Sequence, residues 1–138
     1  MINYVVGFPF TSDRSKVLLI KKIKPDWQKD LYNGIGGKVE KGETVTEAML
    51  RECVEEIGVD LNWTLIGMMS GLNNDNSEFR CHIFYSCDDK VLDFKKMKEE
   101  TPELFNYPLV GVKTINNLDF LLPMCVCNDA LGYATFRY

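Results

Sequence analysis

Histidine is nearly absent from this sequence, and its cysteines form no recognisable motif. The single histidine, His82, lies in an alternating stretch that predicts a strand, so a histidine-ligated metal or a Ser-His-Asp site is not expected. The five cysteines are an odd number without CxxC spacing, which argues against a zinc site and against a disulfide framework. We therefore expect chemistry that depends on neither residue type.

Long apolar runs and an excess of positive charge are also missing. No stretch of about 18 apolar residues and no signal-peptide pattern is present, so we expect a cytoplasmic protein without a membrane partner. The net charge of −4 does not favour broad electrostatic binding to duplex nucleic acid. The length of 138 residues predicts a single domain, residues 1–138.

Apolar periodicity and turn residues predict strands before and after a central helix, followed by a second helix. The predicted strands are Tyr4–Phe10, Lys16–Lys24, Leu31–Ile35, Trp63–Ser70, Phe79–Asp88 and Phe105–Val112. The second helix is predicted over Leu118–Cys127, with an interruption or kink at Pro123. This order is compatible with a mixed sheet that is covered on two faces.

The central helix has clear start and stop signals. Thr44 and Glu47 have the spacing of a capping box, and Gly58 can end the helix in the left-handed conformation. At about 100° per residue, the helix is predicted to have an apolar side and an acidic side. The apolar side comprises Leu50, Cys53, Val54 and Ile57, and the acidic side comprises Glu52, Glu55 and Glu56.

Three glutamates so close together oppose helix stability. Like charges four residues apart repel, and Glu55 and Glu56 lie in the last turn, where the helix dipole disfavours anions. A bound Mg²⁺ would remove this conflict, because it prefers oxygen ligands and commonly uses a few carboxylates together with substrate phosphates. The alternative interpretation is an acidic face exposed to solvent.

The residues around the glutamates favour the metal site. Gly37, Glu43, Arg51, Glu52, Glu55, Glu56 and Gly58 follow one another at fixed spacings. The pattern resembles the signature of the Nudix hydrolases, G-x5-E-x7-R-E-U-x-E-E-x-G-U, where U is a bulky aliphatic residue. Cys53 occupies one of the U positions, and we interpret it as a buried thiol that packs as a small hydrophobe.

The resemblance implies a fold, an activity and a cofactor. The implied fold is α/β, an α/β/α sandwich with a mixed β-sheet between helices. The implied reaction is hydrolysis of a pyrophosphate bond in a nucleoside diphosphate linked to another group. The implied cofactor is Mg²⁺, with Mn²⁺ as the alternative.

The resemblance also implies roles for residues of the motif. Glu55 and Glu56 would be metal ligands, Glu52 a ligand, a base or both, and the carbonyl of Gly36 a further ligand. Arg51 would pair with Glu43 and orient the helix against the preceding loop. Lys38 is interpreted either as a phosphate contact or as a surface lysine.

A fourth carboxylate is expected from a loop before a late strand. Three glutamates are available there, and Glu103 is preferred over Glu100 and Glu99 because Phe105 resembles the aromatic start of the strand that follows such an acid. Each of the three can also be an ordinary exposed loop charge.

The stretch before the motif bears on the substrate. Residues 31–38 resemble the corresponding segment of MutT-type enzymes, which hydrolyse purine nucleoside triphosphates, including oxidised ones. Asn33 and Asn117 would contact the base, although Asn33 before Gly34 is also a turn signal. The sequence thus predicts a small-molecule nucleotide as substrate. Capped RNA, a nucleoside diphosphate sugar and a non-catalytic nucleotide-binding module are the alternatives.

Overall fold

The computed structural model describes residues 1–127 and 133–137. Two helices are present in these residues, α1 (Val45–Ile57) and α2 (Leu118–Val126). The strands are β1 (Ile2–Phe10), β2 (Lys16–Lys21), β3 (Tyr32–Asn33), β4 (Ile35–Lys38), β5 (Thr64–Leu72), β6 (Glu78–Cys87), β7 (Thr101–Asn106) and β8 (Ala134–Arg137). Short 3₁₀ turns cover Asp26–Gln28 and Asp89–Asp93.

Within the described residues, the strands form one eight-stranded mixed sheet. Its main path is β3-β2-β1-β6-β5-β8, while β4 pairs with β1 and β7 pairs with β2. The β1–β6 and β5–β8 pairs are parallel, and the other pairs are antiparallel. The parallel pairing of β1 with β6 brings the first and middle parts of the chain together. The chain between these two strands supplies the long connection that a parallel pair needs.

The sheet has one helix on each face, which confirms the predicted α/β/α sandwich. Side chains alternate along β2, so Leu18 and Ile20 pack in the core under α1 while Val17 and Leu19 pack in the core under α2. The two cores are therefore separated by the sheet. We call these faces the α1 face and the α2 face.

The last strand predicted before the second helix is wrong at both ends. The predicted strand Phe105–Val112 is observed as β7, which begins at Thr101 because residues 101–106 pair with β2. The chain after Asn106 turns away from the sheet through Pro108, which cannot donate a ladder hydrogen bond. The second helix is confirmed, and Pro123 lies inside it without interrupting it.

The ends of α1 are confirmed, but its predicted apolar side is only half right: Cys53 and Ile57 are buried as predicted, whereas Leu50 is only partly buried. The side chain of Thr44 accepts a hydrogen bond from the backbone N–H of Glu47, and the side chain of Glu47 accepts one from the backbone N–H of Thr44. Gly58, at the other end of the helix, has a φ of +70°. Val54, predicted to be in the core, is 46% exposed. The side chains that face the sheet are Ala48, Met49, Glu52, Cys53, Glu56 and Ile57. Two of the motif glutamates therefore lie on the buried side of the helix.

Candidate active site

Two consecutive glycines of β4 allow close approach of α1 on one side and of β1 on the other. Gly37 pairs with Val5 of β1, and a Cβ atom on Gly37 would collide with the carboxylate of Glu52. A Cβ atom on Gly36 would collide with the carbonyl oxygen of Val5. The absence of a side chain on Gly37 therefore leaves the space in which Glu52 lies, and its absence on Gly36 leaves room for the backbone of β1. The Gly36 carbonyl, a predicted ligand, belongs to the same short strand.

Arg51 joins the helix to the preceding loop, as predicted. Its Nε donates to Glu43 Oε2 at 2.6 Å, and its Nη2 donates to Glu43 Oε1 at 2.9 Å. Nη2 also donates to the carbonyl of Lys38 at 3.0 Å. The forked pairing with Arg51 holds the pKa of Glu43 at about 2. The side chain of Lys38 has no assigned role in this network.

The other side of the same guanidinium faces the motif glutamates. Nη1 of Arg51 lies 2.9 Å from Glu52 Oε1 and 3.3 Å from Glu55 Oε2. In the residues that the structure describes, no three acidic, cysteine or histidine side chains form a ready-made metal cluster. The distances give a reason, since Glu52 and Glu55 are both turned towards Arg51. The guanidinium thus acts as the counter-ion of these carboxylates.

Glu56 is the least expected feature of the site. The residue is 9% exposed, and its Oε2 atom is buried without a hydrogen-bond partner. Burial raises the pKa of Glu56 to about 8, against the opposing effect of Lys22. Burial also raises the pKa of Glu52, although Arg51 opposes this shift. An unpartnered buried acceptor costs about 1–3 kcal/mol, so a group that binds a cation fits this position.

A cleft of about 460 Å³ opens beside these glutamates. Its lining residues are Lys22, Ile23, Lys24, Lys98, Glu99 and Glu100. Lys98 connects the cleft to the helix, because its Nζ lies 3.5 Å from Glu55 Oε2. Lys22 connects it to the buried carboxylate, because its charge acts on the pKa of Glu56. Three lysines and two glutamates therefore line the cleft, and Lys22 and Lys98 pair with Glu100 and Glu55.

Glu100 is the late acid that the structure places near α1. Its charge contributes to the raised pKa of Glu56. Its carboxylate accepts from Lys22 Nζ at 2.9 Å and from the backbone N–H groups of Ile23 and Lys24 at 2.7 Å and 3.3 Å. Burial alone would raise the pKa of Glu100, but these donors outweigh it and lower the pKa. Glu99 is exposed at the rim of the cleft.

The preference for Glu103 is not supported by its position. Glu103 lies within β7, opposite Leu19 of β2, whose side chain belongs to the core of the α2 face. Directly paired residues point to the same face, so Glu103 faces away from α1. Its carboxylate instead accepts a hydrogen bond from the hydroxyl of Tyr32, which raises the pKa of Tyr32 to about 12. The misplaced start of β7 caused this error.

The two asparagines predicted to contact the base have different surroundings. Asn33 Nδ2 donates to Gln28 Oε1 at 3.2 Å, and Asn33 Oδ1 accepts from the backbone N–H of Gly34 at 2.7 Å. Asn117 Nδ2 lies 3.9 Å from Met69 Sδ, and Asn117 Oδ1 is buried without a partner. Asn33 is the last residue of β3 with its amide bonded at both ends, and the turn that its sequence predicts is not observed. Asn117 retains an unused acceptor.

The chain segments that carry these asparagines are neighbours. The backbone N–H of Tyr32 donates to Lys113 at 2.9 Å, and that of Ile115 donates to Tyr32 at 3.1 Å. The segment before α2 therefore runs beside β3. None of the hydrogen bonds between described residues joins Asn33 to Asn117 directly.

Sequence reasoning missed Lys22, Lys24 and Gln28. They lie in or beside the connection between β2 and β3, and their neighbours in sequence form no motif. The contacts that define them are partly long-range, since Lys22 and Glu100 are 78 residues apart. The charge of the lysines was visible in the sequence, but their position beside α1 was not.

Neither helix in the described part of the chain has the length and hydropathy needed to cross a membrane. The profile of the NUDIX domain family matches residues 1–119, which is most of the chain. Comparison with curated protein sequences gives no match.

Many solved structures share the fold. A mutator MutT protein from Bacillus halodurans superposes with a TM-score of 0.74 at 21% identity, covering 100% of this chain and 90% of that protein. The dihydroneopterin triphosphate pyrophosphohydrolase of E. coli gives 0.73 at 15% identity, with 90% and 94% covered. A MutT NUDIX hydrolase from Burkholderia pseudomallei gives 0.68 at 18% identity, with 88% and 96% covered. The family match over residues 1–119 shows that this chain belongs to the Nudix hydrolase family, and its fold is that of the MutT-type structures.

Proposed function

We propose that this protein hydrolyses purine nucleoside triphosphates, including those with an oxidised base. The products are a nucleoside monophosphate and pyrophosphate, and the reaction requires Mg²⁺. The observation that carries the proposal is the buried, unpartnered carboxylate of Glu56 beside a lysine-lined cleft. A buried anion without a partner is costly in a structural role. It becomes favourable where a cation binds.

The donor set fits a hard divalent cation. Glu52, Glu55 and Glu56 supply carboxylate oxygens on one helix, and the Gly36 carbonyl and Glu100 are nearby candidates. Magnesium in such a site neutralises charge on phosphate oxygens and lowers the pKa of a coordinated water, and Mn²⁺ can serve similarly. Binding of a cation by Glu52 and Glu55 requires that these carboxylates turn away from Arg51.

The residues of the chain provide the remaining chemistry. Water adds to the α- or the β-phosphorus, and the P–O bond that bridges the two phosphates breaks. Attack at the α-phosphorus expels pyrophosphate, and attack at the β-phosphorus expels the nucleoside monophosphate; the other product keeps the oxygen of the water. Glu52 accepts the proton of the water, because it is buried beside β4 and its raised pKa makes it a stronger base than an exposed glutamate. Lys22, Lys24 and Lys98 bind the phosphates. Lys38 is a further candidate phosphate contact.

The substrate assignment rests on four supporting observations. The segment around Asn33 resembles that of MutT-type enzymes, and Asn117 Oδ1 is buried without a partner, so a base that reached it would meet a free acceptor. The E. coli neighbour is named for a triphosphate substrate. The cleft carries three lysines, which suits a chain of phosphates. We place this reaction in the cytoplasm, and the five free thiols suit a reducing compartment.

A panel of nucleotides tests the proposal. We expect release of pyrophosphate from purine nucleoside triphosphates when Mg²⁺ is present and none when it is removed by a chelator. Chromatography of the products distinguishes the alternatives, since a nucleoside diphosphate sugar gives a sugar phosphate and capped RNA gives a shortened end. Turnover of a nucleoside diphosphate sugar or of capped RNA, without turnover of triphosphates, would contradict the triphosphate assignment and identify that compound class as the substrate. No turnover of any compound, together with nucleotide binding, would indicate a non-catalytic binding module.

A further inference from the structure

Trp27 is exposed in an unusual way for a tryptophan. Its residue surface is 67% exposed, and the 3₁₀ turn Asp26–Gln28 that carries it contains no buried residue. Tryptophan is on average highly buried in folded proteins, because its large apolar surface is unfavourable in water. The ring of Trp27 is therefore accessible to a ligand.

The loop around Trp27 is held in place at several points. The backbone of Lys22 pairs with Leu31 and Asp30 at 2.9 Å, which closes the base of the loop. Within the loop, Gln28 donates to Pro25 at 2.8 Å, and Leu31 donates to Gln28 at 2.9 Å. Glu100 adds the two bonds to Ile23 and Lys24 described above. The indole is thus exposed on an ordered loop.

The same loop contributes to the candidate active site on both sides of Trp27. Ile23 and Lys24, before it, line the cleft beside Glu56. Gln28, directly after it, accepts the hydrogen bond from Asn33. One short segment therefore places positive charge, an exposed aromatic ring and a side-chain amide next to one another. A nucleotide needs these three kinds of group for its phosphates, the face of its base and the edge of its base.

We propose that Trp27 stacks on the base of the nucleotide whose phosphates lie in the lysine-lined cleft, with the Gln28–Asn33 amide pair beside the edge of that base. The inference rests on the proposed function and adds to it a residue that contributes binding affinity. Stacking accepts any base, so Trp27 provides affinity for the nucleoside, while the amides provide discrimination among bases.

Tryptophan fluorescence tests this inference without turnover. The chain has two tryptophans, so the Trp63→Phe variant reports on Trp27 alone, and the Trp27→Phe variant reports on Trp63 alone. We expect an α,β-methylene purine nucleoside triphosphate to quench Trp27 emission and to protect it from acrylamide. Inorganic triphosphate, which lacks a base, should leave the emission unchanged. If Trp63→Phe does not fold, the difference between wild type and Trp27→Phe gives the same signal.

Substitutions at Trp27 give a second test. Trp27→Ala should weaken binding of the methylene analogue by about 10- to 100-fold, whereas Trp27→Phe, which keeps a ring, should stay close to wild type. Leu92→Ala, which truncates another exposed apolar side chain, is the matched control and should have no effect. In the nucleotide panel, Trp27→Ala should raise KM much more than it lowers kcat.

The possible outcomes separate this inference from the proposed function. Quenching by the analogue without any hydrolysis would support the role of Trp27 while contradicting the proposed reaction. Hydrolysis with unchanged Trp27 fluorescence, or equal quenching by inorganic triphosphate, would overturn the stacking role alone. Quenching that depends on protein concentration in the absence of nucleotide would also overturn it, since it would assign this surface to a second copy of the chain.

Discussion

Replacing Glu56 with glutamine is expected to lower kcat/KM by about 10³-fold, with the fold retained. Glutamine has nearly the same shape, so packing on the buried side of α1 should persist. The substitution removes the charge that a divalent cation needs, at the one motif carboxylate with an unpartnered buried oxygen. Steady-state kinetics with the best nucleotide of the panel, together with circular dichroism, measure both effects.

The same substitution, although it lowers activity, should raise the stability of the fold at pH 8. The pKa of Glu56 rises from 4.5 to about 8 in the folded protein, so this residue stabilises the fold below about pH 4.5, and the contribution is lost as the pH rises through 8. Chelator-treated wild type should therefore lose a few kcal/mol of unfolding free energy between pH 5 and 8. Glu56→Gln should lose less and be the more stable protein at pH 8.

Glu78→Gln is the control for both measurements, because Glu78 is exposed at the start of β6. It should change neither kcat/KM nor the pH dependence of unfolding. An active Glu56→Gln protein would contradict the role of this carboxylate in catalysis. A variant that is less stable than wild type at pH 8 would mean that the carboxylate has a structural role in its charged form.

Replacing Arg51 with lysine should lower the unfolding free energy by about 3 kcal/mol, or the Tm by about 10 °C. The guanidinium joins Glu43, Glu52, Glu55 and the Lys38 carbonyl, and its side chain is only 23% exposed. Lysine keeps the charge but cannot reproduce the fork, so most of these acceptors lose their partner. Urea denaturation in the presence of a chelator measures the loss.

Lys90→Met provides the matched comparison for Arg51→Lys. Lys90 is 56% exposed and pairs with Asp88 at 3.7 Å, which is typical of a surface ion pair. Loss of such a pair should change stability by about 0.5 kcal/mol or less. Similar small losses in both variants would show that the Arg51 network does not hold α1 to the preceding loop.

The motif predicted the site better than periodicity predicted the helix face. Helical periodicity assigned every glutamate to the outer side and Val54 to the core, because it treats charge as a signal of exposure. The structure buries Glu52 and Glu56 and exposes Val54. A functional carboxylate in the interior breaks the general pattern, and here the spacing of the motif was the only signal of it.

Contacts between distant parts of the chain could not be predicted from the sequence. Capping residues and glycines act locally, so both ends of α1 were predicted correctly. The late acid was not, because the pairing of β7 with β2 decides that Glu103 faces Tyr32 and that Glu100 reaches Ile23. The loop of Trp27 was missed for the same reason, since its bond to Glu100 joins segments that are far apart in sequence.

Binding of Mn²⁺ to the chelator-treated protein tests the central claim most directly. Electron paramagnetic resonance distinguishes free from bound Mn²⁺ and requires no substrate. The account predicts saturable binding to wild type, competition by Mg²⁺, and at least a tenfold loss of affinity in Glu56→Gln, as expected when a ligand of a metal is removed. Absence of saturable binding, or equal affinity in the variant, would contradict the assignment of the α1 glutamates as a metal site.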